Sequence, residues 1–192
     1  FMAEALTQLG GLDVLVNNAG IAGPTEGIET MSGEAWRRAI DINLNGMFYH
    51  TRRAVPALRE AAASHGEAWI INLASVAGRL GFAYRTPYAA SKWGVVGLTQ
   101  SLSLELGPAG IRVNALLPGV VAGERIERVF AARAEALGIT PEATKASGLE
   151  KVALRQMVTA EDIANMALVL CSPLGRNIAG QPSSVCGHVF AL

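Results

Sequence analysis

This 192-residue sequence predicts an α/β fold, a doubly wound parallel sheet in three α/β/α layers. Three observations carry that prediction. Short apolar runs alternate with longer stretches of helical period, the pattern of right-handed βαβ units. Hydrophobic residues make up 51% of the chain, enough for strands buried on both faces. Glycine, proline, asparagine and serine collect just past the carboxyl end of each apolar run, where open α/β sheets bind ligands.

The elements follow in order. Phe1 to Leu6 has a helical pattern and reads as the remainder of a helix. Leu12 to Val16, after Gly10-Gly11, reads as a buried parallel strand, and 17–27 as a glycine- and proline-bearing loop. Ser32 suits a helix N-cap with Glu34 in the first turn. Trp36, Ile40, Leu44 and Met47 then recur at helical spacing, and the helix runs toward His65-Gly66. Ala68 to Leu73 is a second strand and 76–86 a loop. Pro87 opens a helix that passes Leu98, Leu102 and Leu106 and stops at Gly107-Pro108. Arg112 to Leu117 is a third strand, ended by Pro118-Gly119. Residues 124–137 are helical in period. Thr159 with Asp162 forms a capping box ahead of Ile163, Met166 and Leu170, and Ser184-Val185 belongs to a last short strand. The whole, 1–192, reads as a single domain, with 123–158 as the lid or substrate-pocket region.

Composition narrows the function classes. Sixteen basic and sixteen acidic side chains balance, which argues against nucleic acid and anionic membrane surfaces as partners. No apolar run approaches the ~18 residues that span a bilayer. Cys171 and Cys186 form no CxxC pair, and the three histidines show no metal-ligand spacing, so no metal site is expected. The expected compartment is the cytoplasm.

Several residues could carry chemistry. Tyr88 and Lys92, four apart, share one helical face. An ammonium beside a phenol favours the phenolate, so the pair can act as a general acid/base, or it can be an exposed neighbour pair. Ser75, just past the second strand, can hydrogen-bond a substrate oxygen or satisfy its own turn. Asn17-Asn18-Ala19-Gly20 can admit a ligand close to the backbone or pin the loop to neighbouring strands. Asn43, in Asp41-Ile42-Asn43-Leu44-Asn45-Gly46, suggests a kink or a bound water, or lies on the surface. Pro118-Gly119 either breaks a strand or lays backbone against a flat ring. Arg79, Arg85 and Arg125 can meet an acidic group or be solvated.

Taken together, Asn17-Asn18-Ala19-Gly20, Asn43, Ser75, Tyr88-Ala-Ala-Ser-Lys92 and Pro118-Gly119, in this order and spacing, resemble the short-chain dehydrogenase/reductase family over Leu12 to about Gly187. The resemblance implies a Rossmann-like fold and an NAD- or NADP-dependent oxidoreductase that moves a hydride between a carbonyl and a secondary alcohol. It implies Tyr88 as the proton donor or acceptor and Lys92 as its electrostatic partner and a ligand of the nicotinamide ribose. Ser75 would orient the substrate oxygen, and Asn43 would hold a water for proton relay. Asn17, Ala19 and Gly20 would line the adenosine-ribose side, and Pro118, Gly119 and Val121 the nicotinamide. It also implies a homotetramer or dimer, paired through the helices from Ser32 and Pro87.

The sequence departs from the family pattern at three places. No glycine-rich phosphate turn occurs before Leu12, so the fold is expected to be N-terminally truncated by at least two βα units, roughly 60–80 residues. Gly123 stands where a threonine is expected. Val185-Cys186-Gly187-His188 replaces Val-Asp-Gly-Gly, with Pro182 just before, so a rerouted or poorly packed tail is expected. A second reading is therefore a catalytically silent chain acting only as a subunit or binding module. A third, another doubly wound enzyme such as a methyltransferase, has no need of Ser75, Tyr88 and Lys92. The 192-residue chain titrated alone with NADH and NADPH is expected to bind each more weakly than micromolar; micromolar binding by a folded monomer would refute this.

Overall fold

The structure, a computed structural model, describes residues 2–192. Phe1 of the expected first helix lies outside the described residues; the rest of that helix is α1, Met2–Leu9. Four parallel strands lie side by side in chain order: β1 (Val14–Asn17), β2 (Ala68–Leu73), β3 (Ile111–Pro118) and β4 (Pro182–Val185). Val16 sits opposite Ile71 and Ile71 opposite Asn114; Leu117 sits opposite Ser184. Helices fill every crossover, as parallel strands require. These are α2 (Gly33–Ile40) and α3 (Gly46–His65), then α4 (Thr86–Leu106), then α5 (Glu124–Leu137), α6 (Pro141–Glu150) and α7 (Ala160–Leu170).

Strand alternation sorts the core into two faces. Leu15, Ile70 and Val113 turn toward Ala54 and Leu58 of α3 and Leu106 of α4. Ile71 and Leu116 turn the other way, onto Ile163, Met166 and Leu170 of α7. The three layers are thus α3/α4, sheet, and α7. β1 pairs on one side only, and Val16 on its outer part is half-exposed.

The helix from Ser32 is not continuous, in keeping with the kink that Asn43, Asn45 and Gly46 suggested. Ser32 caps α2 by accepting from the Ala35 amide, but residues 41–45 form a π-helical turn before α3 resumes. The helix-poor Asn43, Asn45 and Gly46 sit in or just after that wide turn. Helix α6 was not expected; Thr140 caps it and Pro141 takes its first position. The tail is not rerouted. Pro182 stands at the first residue of β4, where its missing N–H is tolerated, and β4 pairs regularly with β3.

Buried amides tie the sheet to the helices beneath the site. The Asn17 amide donates to Thr51 Oγ1 of α3 (3.1 Å) and to Asn72 Oδ1 of β2 (2.8 Å). Asn72 in turn donates to Thr99 Oγ1 of α4 at 3.0 Å. Asn72→Ala leaves one Asn17 amide proton and one acceptor site of Thr99 Oγ1 without a partner, and the loss expected in urea unfolding is about 1–3 kcal/mol.

Candidate active site

A cleft of about 800 Å³ opens beyond the carboxyl ends of β1, β2 and β3. Ser75, Tyr88 and Lys92 all line it. Ser75 follows β2 at the start of a 3₁₀ turn, and its Oγ accepts from the Ala77 amide at 3.1 Å. That use occupies one lone pair and leaves the hydroxyl proton available. A close approach holds the turn in place: a Cβ on Gly78 would stand 2.7 Å from the Lys92 carbonyl.

Tyr88 and Lys92 lie one turn apart on α4. Lys92 is only 4% exposed, and its Nζ donates to the Leu73 carbonyl at 2.7 Å. Its Nζ stands 5.8 Å from the centroid of the Tyr88 ring. Burial, with a smaller push from Arg125, brings the Lys92 pKa from the ordinary 10.5 down to about 8.

Asn43 is buried in the π turn. Its Oδ1 accepts from the Ile21 amide (2.8 Å), and its Nδ2 donates to the Ile21 carbonyl and to Ser91 Oγ (both 3.1 Å). The side chain therefore clamps the loop after β1 to α4, with both amide protons spent. Gly20 fits between these groups: a Cβ there would lie 3.1 Å from Asn43 Oδ1 and 3.7 Å from Lys92 Nζ.

The remaining sequence candidates divide. Gly20, Pro118, Gly119 and Val121 line the cleft, as does Asn18, which the sequence reading had not singled out. Asn17 faces the interior, bonded as described above, and Ala19 is exposed outside the lining. A Cβ on Gly119 would run into Cys186 at 2.7 Å, so this glycine lets β3 end against the strand beside it. Arg79 donates to Ser184 Oγ at 2.7 Å and stands outside the cleft. Arg85 does line the cleft, yet it is 3% exposed, with one guanidinium nitrogen on the Ala22 carbonyl at 2.6 Å. Its guanidinium carbon lies 5.0 Å from the Tyr88 ring centroid. The cue in the sequence was its position three residues before Tyr88, on the same side of the α4 start.

The family model described as enoyl-(acyl carrier protein) reductase matches residues 1–187. The chain belongs to the short-chain dehydrogenase/reductase family. A putative ketoacyl reductase of the monensin polyketide synthase from Streptomyces virginiae is 38% identical over 187 residues, 97% of this chain and 70% of that protein. A trans-4-hydroxycyclohexanecarboxylate dehydrogenase from Sinomonas cyclohexanicum is 49% identical over 121 residues, 62% of this chain and 44% of that one. A variant of the actinorhodin polyketide ketoreductase, solved with NADPH, superposes with a TM-score of 0.89 at 32% identity, covering 97% of this chain and 70% of that chain.

As a member of this family the chain is an oxidoreductase of CH–OH groups, with NAD or NADP as cofactor. The donor set fits a dinucleotide. Lys92 gives one N–H to Leu73 and keeps two for other acceptors. Gly20, Pro118 and Gly119 leave flat, side-chain-poor walls beside it.

The lowered Lys92 pKa fixes a pH dependence. Below about pH 8 the folded chain holds Lys92 charged at a cost the unfolded chain does not bear. Between about 8 and 10.5 the unfolded chain binds more protons at this residue, so its contribution to stability rises with pH. Compared with Lys92→Met by urea unfolding, the wild type is expected to gain up to about 3 kcal/mol across that window. A difference independent of pH would show that burial does not lower the Lys92 pKa.

Proposed function

We propose that this protein interconverts a carbonyl and a secondary alcohol with Tyr88 as the general acid/base. The observation that supports this most is that Ser75, Tyr88 and Lys92 line one cleft, with Lys92 buried against the end of β2. The bound dinucleotide supplies or accepts the hydride. In reduction, Tyr88 Oη gives its proton to the substrate oxygen as charge develops there. In oxidation, the same oxygen takes the proton from the alcohol. The free Ser75 hydroxyl proton donates to that substrate oxygen and orients it. Lys92 stabilises the phenolate left on Tyr88, and its remaining N–H groups bind the cofactor ribose. Gly20, Pro118, Gly119 and Val121 form the walls against which the cofactor lies. Asn43 fixes Ile21 and thereby the entrance beside Gly20. Its two spent amide protons mean that any relay water must bind elsewhere than at those donors.

On this reading 123–158 forms the substrate wall: α5 and α6 contribute Ile126, Phe130, Thr144 and Gly148 to the cleft. Homo-oligomer formation through α3 and α4 agrees with the exposed Phe48, Tyr49 and Trp93 on those helices. Tyr88→Phe is expected to lower kcat on any accepted carbonyl by about 10²–10⁴ while leaving the NAD(P)H dissociation constant within twofold. Steady-state kinetics with cofactor fluorescence titration checks this, and unchanged turnover rejects the role.

A further inference from the structure

The cleft collects charge of one sign. Arg85, Lys92, Arg125, Arg133 and Lys151 line it, and no aspartate or glutamate does, in a chain whose charges balance overall. Lys92 is accounted for by the acid/base role. Arg125 lies on the Gly20 side, with a guanidinium nitrogen 3.3 Å from the Gly20 carbonyl.

Arg85 and Arg133 have no such explanation. Both guanidinium groups pack on the ring of Phe82, Arg85 at 5.1 Å and Arg133 at 5.6 Å from its centroid. Among the described residues neither meets a carboxylate. Arg85 is buried, and its Nε has no hydrogen-bond partner. The Arg133 guanidinium, half-buried on α5, has no hydrogen-bond partner among the described residues. Burial and the nearby Arg125 and Arg133 charges oppose the Arg85 charge, and only Tyr88 favours it. Buried cations are normally paired, because an unpaired one costs several kcal/mol. Stacking on an aromatic ring returns only about 0.5–2 kcal/mol.

We infer that the Arg133 and Arg85 guanidinium groups over Phe82 form a seat for a carboxylate on the substrate, so that the protein acts on oxo or hydroxy acids. The inference rests on the reductase reading for the site next to it. Arg85 touches the Tyr88 ring as well as Phe82, so the anion and the reacting oxygen belong to one compact molecule. The rest of the wall, including Val129, Phe130, Leu137 and Ile139, is apolar. It suits the alkyl or alicyclic body of an acid better than a sugar phosphate. Arg133 supplies free donors to the carboxylate; Arg85 adds its charge from behind.

The test uses oxo acids from acetoacetate to 4-oxocyclohexanecarboxylate, each beside its neutral methyl ester, with hexose 6-phosphates as a third arm. Turnover and calorimetric binding are measured on the full chain with cofactor present. At least one acid is expected to surpass its ester tenfold or more in kcat/KM, and Arg133→Gln to bring that ratio close to one by raising the KM of the acid. Arg53→Gln on the exposed face of α3, the same change in net charge, should keep the ratio. Equal handling of acid and ester overturns the seat and leaves the reductase standing. Weaker NAD(P)H binding in Arg133→Gln with an unchanged ratio assigns the charge to the dinucleotide phosphates and also overturns it. Binding of the hexose phosphate alone overturns the carboxylate assignment. If no carbonyl is turned over, the reductase reading fails by itself, and the acid/ester binding ratio still decides the seat.

Discussion

A buried ammonium held by the last carbonyl of a strand organises this molecule. Lys92 is 4% exposed and donates to Leu73 at the end of β2. That bond joins helix α4 to the sheet at the point where the cleft begins. It also fixes Tyr88 one turn earlier, because both side chains rise from one helical face. Ser75 is set two residues beyond Leu73 on the same strand end. Three functional groups from two elements are thereby placed by one contact between helix and strand.

The close approaches around that contact explain the glycines. Gly78 lets the turn after Ser75 lie against the backbone of Lys92, and Gly20 leaves room between Asn43 and Lys92. Neither position needs an unusual backbone angle; each needs the absence of a methyl group. Behind them, the π turn at 41–45 brings Asn43 inward to bond both backbone groups of Ile21. A regular helix would keep its interior groups satisfied within itself, whereas the widened turn lets a buried side chain reach across to a loop. The loop after β1 and the helix that bears Tyr88 are thus joined through one amide.

Much of this was legible in sequence, and particular residues show where legibility stops. The first three strands were readable because each is a short apolar run next to turn-forming residues, Gly10-Gly11 before β1, Ser75 after β2 and Pro118-Gly119 at the end of β3, and α7 because Thr159 and Asp162 form its capping box. Helix α6 escaped because it buries little: Thr144 is its one buried residue, so no apolar stripe marks it. Its cue was local, Thr140 followed by Pro141. Within Asn17-Asn18-Ala19-Gly20, strand parity carries the answer. Leu15 and Asn17 share the inward face, whereas Val16 and Asn18 face the cleft. Arg85 could not be read as buried, since its burial depends on the Ala22 carbonyl, which comes from 63 residues earlier in the chain.

The charge pattern has a cost that folding alone does not repay. A chain that needed only stability would not hold Lys92 and Arg85 in its interior without carboxylates, because each loses hydration and gains only a backbone acceptor or an aromatic ring. Both arrangements are nonetheless tightly built. Asn72 and Asn17 brace the strands beneath Lys92, and the Ala22 carbonyl fixes Arg85 against Tyr88. Rigid unpaired cations are preorganised: they undergo no rearrangement when negative charge forms or arrives beside them. On the proposed mechanism, the charge that arrives beside Lys92 is the phenolate of Tyr88. Two cations stand beside one tyrosine ring, neither paired with a carboxylate among the described residues, so the field of both falls on the same phenol.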